Sequence, residues 1–500
     1  MSRASVPESP PWPEPGAFLL KRPGTPHLLF TLAVLVGVNT MNFFDRQILP
    51  TVQEKIRREW NLSDSELGWL GTAFILLYAV VGLPLGRLAD VGPRKWVLAA
   101  GVGLWSVLTL GSGFAWNFWS LFALRLGVGV GEASCAPASG SLIGDLVPAR
   151  WRARAMSLFM LGLPLGLALS FLVSGTIADR VGWHEAFYVA GLPGLLLAVA
   201  ALFLADPPRG AAEAHFGGMK DEGGRMKEDG GRSDERFRAA ANTGVSAALP
   251  ASRTDPDSSF ILPPSSFRDV VGRVLALPTM WWIILSGALH NFNMYALGTF
   301  LASFLKRYHG VSVERAGQIS ALVYGFGALG IFAAGWLGDL AFHRSVRGRL
   351  HVAWLGLTAA VPCLVLALLV PAGRWGLCAA CLLPGCMLLY AYYGTVYATI
   401  QDIIEPKLRG TAMAIYFCAM YLLGAAAGPV ATGWLSDYCA RRAAAAAGSE
   451  TVTELHKAVG LHDAMYVVPV LNAALVVVLF AASRTVTGDY LRNQKPCHSA

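Results

Sequence analysis

Four ionisable side chains stand where the surrounding sequence offers them little water. Asp45 and Arg46 fall within an apolar run that begins near residue 28. Arg125 and Glu132 interrupt a second run over 118–142. An Asp or Arg at the centre of a membrane helix costs roughly 2.5–3.5 kcal/mol on insertion scales. Groups held there at that cost line cavities, pair with one another and serve substrate or proton pathways. Arg125 and Glu132 lie two helical turns apart on nearly one face, too far for an ideal pair within one helix. Each therefore reaches more readily toward the run that carries Asp45 and Arg46. Arg46 with Glu132 and Arg125 with Asp45 is one arrangement, and the sequence leaves the pairing open. A carboxylate that alternates between a dry environment and an arginine takes up and releases a proton. Arginine stays charged throughout, which suits it to an anionic ligand or to releasing a carboxylate. The plainer alternative is a fixed ion-pair network that only orients the helices.

The elements that must position these groups are long apolar helices. The chain has 500 residues, 54% hydrophobic and only 14% charged, against about 25% charged in ordinary globular domains. Its mean hydropathy is +0.49. This excludes a disordered chain and an array of soluble enzymes. It also excludes a nucleic-acid binder, although the formal net charge is +8. A membrane-spanning helix needs roughly 20 mostly apolar residues. Twelve stretches qualify: 28–49, 67–89, 95–115, 118–142, 154–178 and 185–204, then 279–304, 316–341, 351–371, 375–400, 411–436 and 463–483. The first, fourth and tenth carry the most polar residues and are the least clear. Helices are expected because each satisfies its own backbone hydrogen bonds in lipid.

Residues 1–27 are polar and Pro-rich with no cleavage pattern, and read as a retained cytosolic tail. Basic residues concentrate in loops on the side of the N-terminus, which predicts both termini in the cytosol. Short loops rich in Ala and Arg suggest a bacterial inner membrane. The eight cysteines form no extracellular disulfide pattern. Cys378 and Cys381 have the spacing of a metal or redox pair, but lie in an apolar run without a second Cys/His pair, so packing explains them better. No metal and no cofactor are expected.

Residues 206–266 are rich in Gly, Pro, Ser and mixed charge and read as a flexible cytosolic linker. The expected organisation is a tail over 1–27, a six-helix bundle over 28–205, the linker over 206–266, a second bundle over 267–484 and a tail over 485–500. The halves echo each other. Gly86 and Asp90 recur as Gly335 and Asp339, and Asp145, Arg152, Ala155 and Met156 recur at one common offset as Asp402, Arg409, Ala412 and Met413. Repeats six spans apart run parallel. The chain thus resembles the major facilitator superfamily: an all-α integral membrane protein with the major facilitator fold, twelve transmembrane helices in two parallel six-helix halves. The run Gly86-Arg87-Leu88-Ala89-Asp90-Val91-Gly92-Pro93-Arg94-Lys95 is similar to that superfamily's loop 2–3 signature, with Val91 and Pro93 departing from it. The resemblance implies a cytosolic gate formed by Gly86, Asp90, Arg94, Lys95, Asp145 and Arg152.

Asn42-Phe43-Phe44-Asp45-Arg46 resembles the Asn-x-x-Asp-Arg pattern of the Spinster branch. Arg125, Gly129-Val130-Gly131-Glu132-Ala133, Pro137, Ser141, Asp145 and Pro148 resemble its fourth-span signature. The likeness covers nearly the whole chain outside the tails, the linker and 437–462. It implies a proton-linked transporter of lysophospholipid or a related amphipathic lipid anion, working as a monomer. It also implies Asp45 and Glu132 as proton-coupling residues, with Asn42, Arg46 and Arg125 in the head-group charge network. Asn-x-x-Asp-Arg is shared with porters of small organic anions such as sugar acids, which is the second reading.

The second half is less polar, and His290, Asn293 and Tyr393 are its cavity candidates. Pro164 and Gly428-Pro429 are expected to kink the fifth and eleventh spans. A membrane enzyme is a poor reading: His184-Glu185 lacks a following His at metalloprotease spacing, and no Gly-x-Ser-x-Gly elbow or phosphate loop occurs. A transport-dead receptor sits badly with the retention of all four membrane charges.

Overall fold

A computed structural model describes residues 25–147, 155, 158–207, 267–404 and 409–494. The linker past Pro207, both tails beyond those limits, and Arg152 lie outside the described residues. Sixteen α-helices account for almost everything else. In the first half these are α1 (Thr25–Trp60), α2 (Asp64–Val91), α3 (Arg94–Ser112), α4 (Phe118–Glu132), α5 (Cys135–Leu146), α6 (Gly162–Arg180) and α7 (Trp183–Leu202). A short amphipathic helix, α8 (Phe267–Leu275), leads into the second half. There follow α9 (Pro278–His309), α10 (Val313–Arg344), α11 (Gly348–Leu369), α12 (Trp375–Ile403), α13 (Arg409–Ala419), a π-helical turn (Met420–Ala425), α14 (Ala427–Ala446), α15 (Glu454–Met465) and α16 (Val467–Gln494).

Among the described residues ten helices are long and apolar enough to cross a membrane. The fourth pass is split into α4 and α5, and the seventh, α9, carries His290, Asn291 and Asn293 in an otherwise apolar run. Counting both, the arrangement agrees with twelve passes. The first and tenth stretches, the less clear ones by sequence, are long enough and apolar enough.

Local chemistry sets the helix ends. Ser63 and Glu66 form a capping box at the start of α2, and Asn117 and Ser120 do the same for α4. Gly310, at φ 72°, closes α9 in the left-handed conformation that glycine adopts without strain. One helix placement differs from expectation. The first helix runs to Trp60, not to residue 49, so Asp45 and Arg46 sit in its middle instead of near its end. It continues because Glu54 and Arg57 are buried and ion-paired, not solvated. Pro164 lies three residues after a turn at Leu161 that interrupts the helical span Leu158–Arg180, so the fifth span is broken beside it, as expected. Gly428-Pro429 also marks an irregularity: the amide of Ala426 reaches back to the Tyr421 carbonyl, closing the π turn.

The halves repeat one ion pair. Arg94, at the start of α3, pairs with Asp145 at the end of α5. Arg349, at the start of α11, pairs with Asp402 at the end of α12. The halves meet at the other end of the molecule. There α2 lies on α14 so closely that a Cβ on Gly433 would collide with the Asp64 carbonyl. Among the described residues, every hydrogen bond and ion pair that crosses between halves lies toward that end, from Thr72–Ala426 and Gln53–Thr299 outward to Arg307–Glu54 and Glu314–Asp179.

Candidate functional site

The site is built where α1, α3 and α4 converge inside the first half. Asp45 and Arg46 are neighbours on α1 and therefore point to different sides. Arg46 Nε donates to Glu132 Oε2 at 2.8 Å. Arg125 Nη1 stands 3.3 Å from both Asp45 carboxylate oxygens, and its Nη2 donates to the Asp45 carbonyl at 3.3 Å. The first pair has the length of a strong charge-assisted hydrogen bond and the second is looser. Asp45 gains a further donor from α3, Thr109 Oγ1 at 2.9 Å. All four charged side chains are buried. The structure thus selects one of the pairings that the sequence left open.

Local breaks put these groups where they are. Glu132 is the last residue of α4, and the chain kinks through Ala133 and Ser134 before α5 resumes. Gly129 lets α4 come within contact of the Phe74 carbonyl on α2, an approach that any side chain would block. Broken helices at membrane depth are tolerated where they line a protein cavity. The Arg46 guanidinium also lies over three rings, 4.9 Å from Phe43, 5.5 Å from Phe74 and 4.7 Å from Tyr78. Such contacts are worth about 0.5–2 kcal/mol each, and more as water is excluded. Several polar atoms here are buried without a partner: Glu132 Oε1, Arg125 Nε and Asn42 Nδ2. Unmet hydrogen-bonding capacity beside paired charges leaves room for a proton, a water or a ligand group.

A cavity of about 590 Å³ opens between the halves. Its size falls within the usual range for small-ligand sites. Arg46 and Arg125 line it, while their partners Glu132 and Asp45, and Asn42, do not. An entering ligand therefore meets cations first. The facing wall, from the second half, is neutral: Asn291, Tyr324, Tyr390, Tyr393, Tyr397 and Tyr421. Of the three candidates in that half, only Tyr393 lines the cavity. His290 lies flat on Tyr392, ring centroids 4.0 Å apart, with both nitrogens buried and unpartnered. Asn293 is likewise buried behind the wall. Each sits part of a turn away from Asn291 on α9, which faces the ligand space instead.

Of the residues expected at the gate, Arg94 is buried and holds Asp145, the Ser141 hydroxyl at 3.1 Å and Asp206 at 2.8 Å. The Lys95 backbone amide also faces Asp206, at 3.5 Å. Gly86 and Asp90 lie on α2, but the Asp90 side chain is outside the described set, as is all of Arg152. Sequence reasoning missed Thr109, whose hydroxyl looks ordinary in an apolar helix. It also missed Arg349, which stands ten positions after Asp339, whereas Arg94 follows Asp90 by four.

A model of the Major Facilitator Superfamily matches residues 35–429. An "MFS-type efflux pump" of Mycolicibacterium smegmatis is 27% identical over 412 residues, which cover 81% of this chain and 84% of that protein. "Protein spinster homolog 1" of Rattus norvegicus is 39% identical over 197 residues, only 38% of this chain and 37% of that protein. A crystal structure of a bacterial homolog to the human lysosomal transporter Spinster, inward-facing and unoccupied, superposes with a TM-score of 0.76 at 26% identity. That match covers 95% of this chain and 100% of the other. The chain belongs to the Major Facilitator Superfamily. Within it the chain is Spinster-like, a multi-pass membrane transporter and not an enzyme.

Proposed function

We propose that this transporter is a proton-coupled carrier of a lysophospholipid or related amphipathic lipid anion, working by alternating access. The observation that carries this reading is the unequal lining of the cavity, with two arginines on one wall and tyrosines on the other. An anionic head group would bind Arg46 and Arg125, competing with Glu132 and Asp45 for them. Protonation of Glu132 would remove the counter-charge of Arg46 and free its guanidinium for the ligand. Deprotonation would restore the pair and expel the anion. The neutral wall would accept the acyl chain.

In this reading the bundles over 28–205 and 267–484 rock against each other, joined by the flexible linker. Both termini face the cytosol of a bacterial inner membrane, and one chain suffices. The joined end of the molecule is then the outer one, so the conformation is inward-facing. Gly86, Asp90, Arg94, Lys95, Asp145 and Arg152 would form the cytosolic gate. Gln47 and Asn291 on the cavity wall favour a second reading, a small organic anion such as a sugar acid held by hydrogen bonds.

The test is uptake of labelled lysophospholipid and of a labelled sugar acid into proteoliposomes under an imposed pH gradient. Gradient-driven, saturable lysophospholipid movement supports the first reading. Saturable sugar-acid movement that excess lysophospholipid does not inhibit supports the second.

A further inference from the structure

The end at which the halves meet holds charges that the carrier reading does not use. Arg307 lies near the C-terminus of α9, with 2% of its side chain exposed. Its Nε and Nη2 donate to Glu54 Oε1 on α1, at 2.8 and 2.5 Å. Its Nη1 donates to Asp64 Oδ2 at the start of α2, at 2.7 Å. Both carboxylates are buried as deeply as the arginine. One guanidinium of the second half thus hydrogen-bonds two carboxylates on two helices of the first. A fork of donors reaches both at once; an ammonium is a point charge and does not.

The surroundings are arranged to the same end. Ser436 Oγ donates to Asp64 Oδ2 at 2.6 Å, and Asp437 accepts from the backbone amides of Asp64 and Ser65 at 3.0 and 2.8 Å. Gln53 Nε2 donates to Thr299 O and Ser303 Oγ at 2.5 and 2.9 Å. Arg57 bridges Glu54, at 3.3 Å, to Glu454 of α15, at 2.5 Å, but Glu454 is 60% exposed. Solvent screens that outer pair, so it is worth little. The buried core cannot be screened, and it leaves a carboxylate stranded if its partner goes. The opposite end is built otherwise: Arg94 and Arg349 bind carboxylates of their own half.

We propose that Arg307 is the keystone of a latch joining the halves, and that it must leave Glu54 and Asp64 before the cavity can open at that end. It is a positioning residue for transport, remote from the ligand and independent of which substrate the cavity takes. Its loss therefore shifts the balance between the two open states without altering the ligand site. The energy of a buried pair is large enough to change that balance by about a hundredfold.

Spin labels at Phe114 and Ala372, exposed loop positions of the two halves at the latched end, report the opening by double electron–electron resonance in the full-length protein, with native cysteines replaced. Wild type gives predominantly the short distance. Arg307→Met strands Asp64, leaves Glu54 with Arg57 alone, and is a folding risk. The triple variant Arg307→Met, Glu54→Gln, Asp64→Asn removes the latch without stranding charge. It is expected to show a dominant long distance, Arg307→Lys an intermediate mixture, and Glu454→Gln the wild-type distribution. A triple variant that keeps the wild-type distribution overturns the proposal. So does an Arg307→Lys protein indistinguishable from wild type, since the fork would then be dispensable.

Discussion

The two walls of the cavity come from halves that repeat one another, yet their chemistry is opposite. At the termini end the repeat is close: Arg94 with Asp145 in one half, Arg349 with Asp402 in the other. At the cavity it is gone. The first half places four buried charges there, and the second places tyrosines and Asn291. On the proposed reading, symmetric positions serve packing and opening, which both halves must perform, and the cavity serves recognition, for which two copies of a charge network would only add desolvation cost. Burial of four charges is tolerated because the pairs neutralise each other and Thr109 and the rings around Arg46 supply further contacts.

Breaking the charged wall should have the largest effect. Arg125→Ala leaves Asp45 buried with Thr109 as its only hydrogen-bonded side chain among the described residues. It should cost about 3–5 kcal/mol of stability, as expected when one partner of a buried pair is removed. Thermal unfolding in detergent measures this, and adding Asp45→Asn should recover most of the loss. A single variant as stable as wild type would mean that the charges are solvated. Next comes the neutral wall. Tyr393→Glu puts a carboxylate where an acyl chain is proposed to lie, and should weaken lysophospholipid binding by about a hundredfold, given roughly 2.5–3.5 kcal/mol for a charge in apolar surroundings. Equilibrium binding of a labelled lysophospholipid reads it. Unchanged binding would remove that wall from the ligand site.

Smaller effects sharpen the comparison. Tyr78→Leu removes one ring from Arg46 and should cost about 0.5–2 kcal/mol, seen as a several-fold rise in the apparent dissociation constant. His290→Phe should be nearly silent in transport and neutral or slightly stabilising, because it replaces two unpartnered buried nitrogens with a ring of similar shape. A large transport defect from His290→Phe would show that this residue belongs to the working site after all.

These walls were not equally legible in the sequence. A charge in an apolar run declares itself by its cost, so Asp45, Arg46, Arg125 and Glu132 stood out before any geometry was known. Their pairing did not, because it depends on the break after Glu132 and on how α1 faces α4. In the second half α9 is buried on most of its surface, so periodicity cannot tell Asn291, which lines the cavity, from His290 and Asn293, which do not. Arg307 looks in the sequence like a loop cation beside Lys306, since a basic residue at a span end is ordinarily a solvated anchor. Its proposed role rests on Glu54 and Asp64, distant in sequence and themselves beyond the expected end of the first span and before the expected start of the second. The fold was legible through span lengths and the repeat of Asp145 and Asp402. The split of the fourth pass and the π turn of the eleventh follow from tertiary packing that composition does not encode.

The most direct measurement compares wild type with Glu132→Gln in proteoliposomes, following labelled lysophospholipid with and without a pH gradient. The amide keeps the size of the side chain and a hydrogen-bond acceptor for Arg46 but can neither ionise nor carry a proton. The account predicts gradient-driven accumulation in wild type and none in the variant, with equilibrium binding retained. Gradient-driven accumulation that survives in Glu132→Gln would contradict it and leave the Arg46–Glu132 pair a structural brace.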